Sequence, residues 1–363
     1  MHTFYGSTIT EVKERITYWD VARGLAVLLV IFYHVPLYIR MCHPSAAELL
    51  MPHIHAGTYI LPFFMPVFFV ISGYFTNTEK SYGSFLWGDI RHLLLLGLVL
   101  TFINVAIQSI GLRDSGAILW YIRTLFSKDV LDIIWSNWFV SAIFFSRQIY
   151  YGVDHLAHWI AKSRSGLYWL LLFGMLVLIA LCGIILEPRA PLNGKWFYCQ
   201  GLVFAVFIGC GKVLRTFAID RKLLWGAGGL YIALMIISRV LGLSTLEYGM
   251  INTSFTVAHW PFYMILALSG SALLISCAQL IDHLKPLEFI GRHSLVFYIP
   301  QGGILLVTAT LLGELFQPNS VLSVWLYIVS MWFVCLSVLS LLSVGQDGWN
   351  KCVEIFKSKY IRA

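Results

Sequence analysis

The sequence predicts an all-α, polytopic membrane protein with about ten transmembrane helices and both termini in the cytoplasm. Three observations predict this. First, 59% of the 363 residues are hydrophobic and only 12% charged, where soluble domains carry about 25% charged residues; mean hydropathy is +0.78. Second, ten apolar stretches approach the roughly 20 residues that a crossing helix needs. They fall near 19–39, 58–76, 85–110, 131–151, 166–186, 198–216, 222–242, 255–281, 290–312 and 320–344. Third, Lys and Arg alternate between the connecting loops. With the N-terminus inside, 17 lie on the cytoplasmic side and 7 opposite, Arg23 standing within the first stretch. Such a bias orients membrane helices.

The charge pattern also excludes a class. The net charge is +7, but the basic residues sit in short loops rather than in one patch, which excludes nucleic-acid binding. The seven cysteines show no CxxC spacing and read as small apolar fillers of helices. Residues 1–17 are mostly polar with mixed charge, and no small-residue cleavage pattern follows the first apolar run, so that run is expected to stay as an anchor. The expected organisation is a cytoplasmic segment 1–17, a transmembrane domain 18–345 and a basic tail 346–363. Lys351, Lys357, Lys359 and Arg362 of the tail suit anionic lipid.

In chain order, the first stretch carries Asp20, Arg23 and His34. An ionisable group inside a bilayer costs about 2.5–3.5 kcal/mol on insertion scales, so it persists where it pairs, lines a wet cavity or does chemistry. Eleven helical steps separate Arg23 from His34. They return to within about 20° of the same face, roughly 16 Å along the axis, so both side chains are expected to look into one cavity at different depths. Asp20, one turn before Arg23, is placed to pair with it. In the following loop, which also holds His43, the pair His53-x-His55 lacks a third ligand of evident spacing, so these read as surface loop histidines rather than a metal site.

Pro62 and Pro66 bend the start of the second stretch, and Ser72-Gly73-Tyr74-Phe75 closes it, small residues that allow close helix approach. The third contains Asn104 and Gln108, and residues 118–126 are too short to span and suit the interface. The fourth is the weakest, with Asp132, Asn137 and Arg147 inside it or at its ends. Its Trp138-Phe139 reads as an aromatic pair at headgroup level, with Trp138 a candidate wall of an active site. Lys195-Trp196-Phe197-Tyr198 leads into the sixth, where Gly209 allows close packing, and His259 near the start of the eighth reads as an interfacial, hydrogen-bonded residue. The ninth opens Gly291-Arg292-His293-Ser294-Leu295, with Tyr298 and Gln301 following.

Taken together, these motifs resemble a known family. Asp20-x-x-Arg23-Gly24 with the Arg-x(10)-His spacing, Phe68-Phe69-x-x-Ser72-Gly73-Tyr74, Trp138-Phe139-Val140, and Gly291-Arg292-x-Ser294-Leu295-x-x-Tyr298 occur in that order. They resemble the integral-membrane acyltransferase family 3, which includes sugar O-acetyltransferases of the fucose 4-O-acetylase type. The chain departs from the family pattern twice. Thr76-Asn77-Thr78-Glu79-Lys80 stands where many members have Arg-x-x-Arg, and Gln301 stands about where a second His is common.

The resemblance implies a multi-pass protein of the inner (plasma) membrane and an O-acyltransferase reaction. The donor would be acetyl-CoA or another acyl-CoA from the cytoplasm, and the acceptor a hydroxyl of a cell-surface glycan or a lipid-linked sugar. His34 would be the base, since a neutral imidazole suits proton transfer near neutral pH, and Arg23, supported by Asp20, would hold the charged part of the donor. Ser72, Lys80 and Arg91 would help bind the donor, and Trp138 and Tyr298 the acceptor. No metal is expected. A transporter of a glycan or lipid-linked intermediate is the competing expectation, although the chain shows no half-and-half repeat of the kind many carriers have.

Overall fold

Helix α1 (Tyr18–Cys42) is buried on more than one side, from Trp19 and Val21 to Val35 and Ile39. A helix that is apolar nearly all round belongs inside a bundle. The computed structural model describes residues 16–44, 49, 62–126, 138–187, 197–217, 220–240, 260–316 and 320–360, and within these every regular element is helical. After α1 come α2 (Pro66–Phe75), α3 (Tyr82–Gly111), α4 (Gly116–Leu125), α5 (Trp138–Ala161), α6 (Ser165–Leu186) and α7 (Tyr198–Phe217). Then follow α8 (Arg221–Val240), α9 (Trp260–Ile281), α10 (Lys285–Arg292), α11 (Ser294–Tyr298), α12 (Gln301–Phe316) and α13 (Val321–Tyr360).

Eight stretches among the described residues are long and apolar enough to cross a membrane: α1, α3, α6, α7, α8 within Arg221–Ser238, α9, the α11–α12 pair, and α13 within Val321–Lys351. The second and fourth expected spans correspond to α2 and α5. The described part of α2 has ten residues. The fourth helix covers Trp138–Ala161 rather than ending near 151. It continues because Tyr150, Tyr151, Asp154 and Ala157 stay buried against neighbours.

Two helices act as hubs. α1 contacts α2, α9, α10, α11, α12 and α13, while α7 contacts α2, α5 and α6. Glycines permit the closest crossings. A Cβ on Gly24 would run into the Leu287 carbonyl, and one on Gly291 into the Asp20 carbonyl, so α1 and α10 touch backbone to backbone. α2 and α7 meet likewise, Gly73 against the Ile208 carbonyl and Gly211 against the Val70 carbonyl. Without a hydrophobic drive between helices in lipid, such close approach is what holds them. Gly209 packs on Leu176 of α6, as its small size suggested.

Three local features set up the site. Residues Ile90–Leu95 form a π-helical turn inside α3, a distortion that recurs at functional sites. The ninth span is broken at Ile299-Pro300, since proline has no N–H to continue the ladder. The α12 start thus exposes free backbone N–H groups inside the bundle, and the Asn104 side-chain oxygen accepts one of them, from Gly303 N at 2.6 Å. Finally, α13 runs without a break to Tyr360, so the boundary expected at 345/346 falls inside a helix. At the far end of α1, His43 is not a loose surface residue. Its ring lies against Gly313 and its Nε2 donates to the Ala309 carbonyl at 3.1 Å, a carbonyl that Tyr327 also bonds. His53, His55 and His259 lie outside the described residues.

Candidate active site

Two adjoining chambers open beside α1. The first, of about 310 Å³, lies between α1, α2, α3, α5, α10–α11 and α13. The second, of about 330 Å³, continues under the α2–α3 connection. Ser72, Phe75, His92, Leu93, Ile143 and Arg147 line both. Small-molecule sites have volumes of this order and are mostly apolar with a few placed polar groups.

Arg23 lines the first chamber, where its Nη1 donates to Asp20 Oδ1 at 3.3 Å and its guanidinium lies 5.0 Å from the centre of the Phe75 ring. Asp20 is buried, 4% exposed, so the pair offsets part of the cost of placing a charge here. Arg23 remains part-exposed toward the chamber.

The guanidinium facing it comes from Arg147, ten residues into α5. Its Nε lies 3.0 Å from both oxygens of the buried Asp89, and its Nη1 donates to the Ser72 and Thr76 hydroxyls at 2.9 and 2.8 Å. Gln148 Nε2 donates to the same carboxylate at 2.8 Å, and Phe85 covers the guanidinium face at 5.1 Å. Nη2 makes no hydrogen bond among the described residues, and Arg147 lines both chambers. The loop after α2 lacks arginine, and the guanidinium that reaches Ser72 is supplied from α5 instead. Sequence reasoning counted Arg147 among loop charges. The available signal was that Asp89 and Arg147 are opposite charges at the ends of neighbouring apolar stretches, each too costly to bury alone.

On the opposite wall, Arg292 and His293 follow the Gly291 crossing, with Ser294 beside them. The chamber then narrows toward Phe68, Phe139, Leu96 and Tyr298. Tyr298 rings with Phe139 at 5.0 Å and lies near the phenol of Tyr38 on α1. Tyr38 in turn sits beside Gly302 at the α12 start. One end of the chamber is therefore cationic and the other aromatic.

His34 lines neither chamber. It stands one turn before Tyr38 on α1, half-buried, with Nδ1 2.8 Å from the Val30 carbonyl. A carbonyl only accepts, so Nδ1 carries the hydrogen and neutral His34 presents the Nε2 lone pair. The structure thus brings Arg23, Ser72 and Tyr298 into the first chamber and Lys80 into the second. His34 stays outside both, one turn before the Tyr38 that neighbours Tyr298. Arg91 is exposed and lines neither chamber. Trp138 packs 6.2 Å from the Phe204 ring, while its neighbour Phe139 forms the wall. Buried Gln301 has no hydrogen-bond partner for its Oε1 among the described residues. No three His, Cys, Asp or Glu among the described residues come together to hold a metal.

The first chamber thus joins the guanidinium groups of Arg23, Arg147 and Arg292 to the aromatic rings of Phe68, Phe139 and Tyr298 inside a bundle of apolar helices. The acyltransferase domain model of acyltransferase family 3 matches residues 16–342, almost the whole helical bundle, and the chain belongs to that family. It is a multi-pass membrane acyltransferase, and family membership favours the enzyme over the transporter. No curated protein and no solved structure matches it significantly.

Proposed function

We propose that the protein moves an acyl group, acetyl in the simplest case, from cytoplasmic acyl-CoA to a hydroxyl of a cell-surface or lipid-linked glycan, in the plasma (inner) membrane. The observation that carries this reading is the polarity of the first chamber. Arg23, Arg147 and Arg292 at its mouth suit the phosphates of a CoA, since guanidinium forks match phosphate oxygens. The aromatic depth at Phe139 and Tyr298 suits the pantetheine arm and thioester. Lys80 in the second chamber adds positive potential on the same approach, and Arg91, exposed on α3 outside both chambers, is proposed to add to it at longer range.

His34, one turn from the Tyr38 that neighbours Tyr298, is the proposed base. Its Nε2 takes the proton of the acceptor hydroxyl as the oxygen forms a C–O bond to the thioester carbon. The C–S bond then breaks, the sulfur leaves with its electron pair, and the proton passes from His34 to the thiolate. Arg23, held by Asp20, anchors the donor so that its thioester reaches up the α1 face toward His34. Tyr298, where the thioester would lie, is proposed to meet the acceptor as well, with Trp138, which lines neither chamber, behind the Phe139 wall.

The test compares cells carrying the wild-type chain, the His34→Ala variant and no copy of the gene. Surface and lipid-linked glycans are analysed by mass spectrometry before and after mild base. A base-labile acyl mass present in wild type and lost in both others supports the reaction and the base. An acyl mass that survives His34→Ala but not deletion overturns His34 alone. The absence of any acyl difference overturns the glycan acceptor.

A further inference from the structure

The last helix contributes to the donor chamber. α13 continues past its apolar span, and at that point Gln346 lines the first chamber while Asp347 reaches His293 on the chamber wall. His293 Nε2 lies 3.0 Å from Asp347 Oδ1, and its Nδ1 lies 2.9 Å from the Phe289 carbonyl. A carbonyl and a carboxylate both accept, so the ring is held between two acceptors, one at each nitrogen. Its neighbour Arg292 lines the same wall and makes no ion pair among the described residues. The side-chain exposures differ, 11% for His293 and 48% for Asp347. The imidazole is therefore set into the wall and the carboxylate sits at the rim.

We propose that Asp347 is a positioning residue for the anionic donor: it fixes the His293 ring on the chamber wall and with it the adjoining Arg292, the guanidinium that faces the donor's phosphate groups. This rests on the proposed acyl-CoA donor and deepens it, since it adds the C-terminal helix to the binding site. Two features separate this role from simple helix packing. The Phe289 carbonyl and the Asp347 carboxylate clamp the ring from opposite sides and set its plane. The clamp also joins α10, which carries Arg292, to α13, so that Arg292 and His293 are placed on this wall by one contact. Asp347 is too exposed for the pair to contribute much to folding, so its removal leaves the bundle standing and registers at the ligand.

The experiment measures binding of CoA to the full-length chain in lipid nanodiscs by calorimetry, with thermal stability recorded for every variant. Asp347→Asn is expected to weaken CoA about tenfold, the size of one charge-assisted contact. It should raise KM for acetyl-CoA by a similar factor with kcat little changed. Asp347→Glu restores binding. His293→Gln weakens CoA as much as Asp347→Asn does, and the double variant is no weaker than His293→Gln alone. Wild-type binding by Asp347→Asn overturns the proposal, and so does an equal loss from Asp347→Asn in the His293→Gln background. If the wild-type chain itself does not bind CoA, the donor reading falls and this inference with it, a result distinct from the other two.

Discussion

The Arg147 guanidinium donates to the Ser72 hydroxyl at 2.9 Å, tying the middle of α5 to the end of α2 across 75 residues of chain. The same side chain is fixed by Asp89 from α3, so three helices meet at one planar cation beside both chambers. A guanidinium whose Nε and Nη1 are occupied by the protein is already oriented, and it loses little freedom when a phosphate takes Nη2.

Arg147→Lys is therefore expected to keep the charge but lose the fork. The variant folds, and CoA affinity drops by at least about tenfold. Arg147→Ala also leaves Asp89 buried and unpaired, which costs about 3–5 kcal/mol, so it should show a lower melting temperature as well. CoA binding and thermal unfolding of the purified chain check both. Equal affinity in wild type and Arg147→Lys would remove Arg147 from the donor site.

His34 gives the opposite profile. Among the described residues its hydrogen bond is to Val30, within its own helix, so His34→Ala should leave the melting temperature and CoA binding nearly unchanged. Loss of a general base lowers turnover by about 10²–10⁴-fold. Single-turnover acyl transfer at saturating donor measures this. A His34→Ala protein that keeps its turnover, or that loses CoA binding instead, does not use His34 as the base.

These residues differ in how far the sequence revealed them. Arg23, Ser72 and Tyr298 belong to short motifs on single helices that resemble the acyltransferase family, and that resemblance made them legible; helical periodicity alone also placed His34 in the cavity of Arg23, yet His34 lines neither chamber. Arg147 was not, because a hydropathy window treats a charge as a reason to end a span. Its pairing with Asp89, 58 residues earlier, exists only once α3 and α5 are side by side. The same limit hid Asp347, assigned to a tail when α13 carries it back to His293. The central position of α1 was legible from its intramembrane charges. The second hub, α7, was not, since its signal is a glycine at each crossing and nothing chemical. Gln301 and Asn104 stood out as polar residues in apolar stretches, but only the break at Pro300 explains why Asn104 is there.

The glycine crossings make a stability prediction. Gly24→Ala and Gly291→Ala each push a methyl group into a backbone carbonyl that cannot move aside. Overpacking costs about 1–3 kcal/mol, and rigid backbone on both sides places these two at the upper end. Gly174→Ala in α6 is the control, since nothing lies within 4 Å of its added Cβ and alanine favours a helix by about 1 kcal/mol. Thermal unfolding in detergent should show the first two lowered and the third unchanged or raised. A Gly24→Ala protein as stable as wild type would mean that α1 and α10 are not in backbone contact.

Asp154 yields a graded series. It is buried, 2% exposed, in the extension of α5 beyond the expected end of the fourth span. Three hydroxyls donate to it: Thr78 at 2.6 Å, Tyr168 at 2.6 Å and Tyr150 at 3.3 Å. These bonds tie the α2–α3 connection and α6 to α5. A hydrogen bond to a charged group contributes about 1.5–3 kcal/mol, and short bonds are the stronger. Tyr168→Phe should therefore destabilise more than Tyr150→Phe, and Asp154→Ala more than either, because it leaves three buried hydroxyls without their acceptor. The carboxylate and both phenols line neither chamber, so CoA affinity of the folded protein should follow wild type in Tyr168→Phe and Tyr150→Phe. The order of melting temperatures is the measurement. Were Tyr150→Phe the more damaging of the two tyrosine variants, the carboxylate would not be the centre of this network, and the continuation of α5 would need another cause.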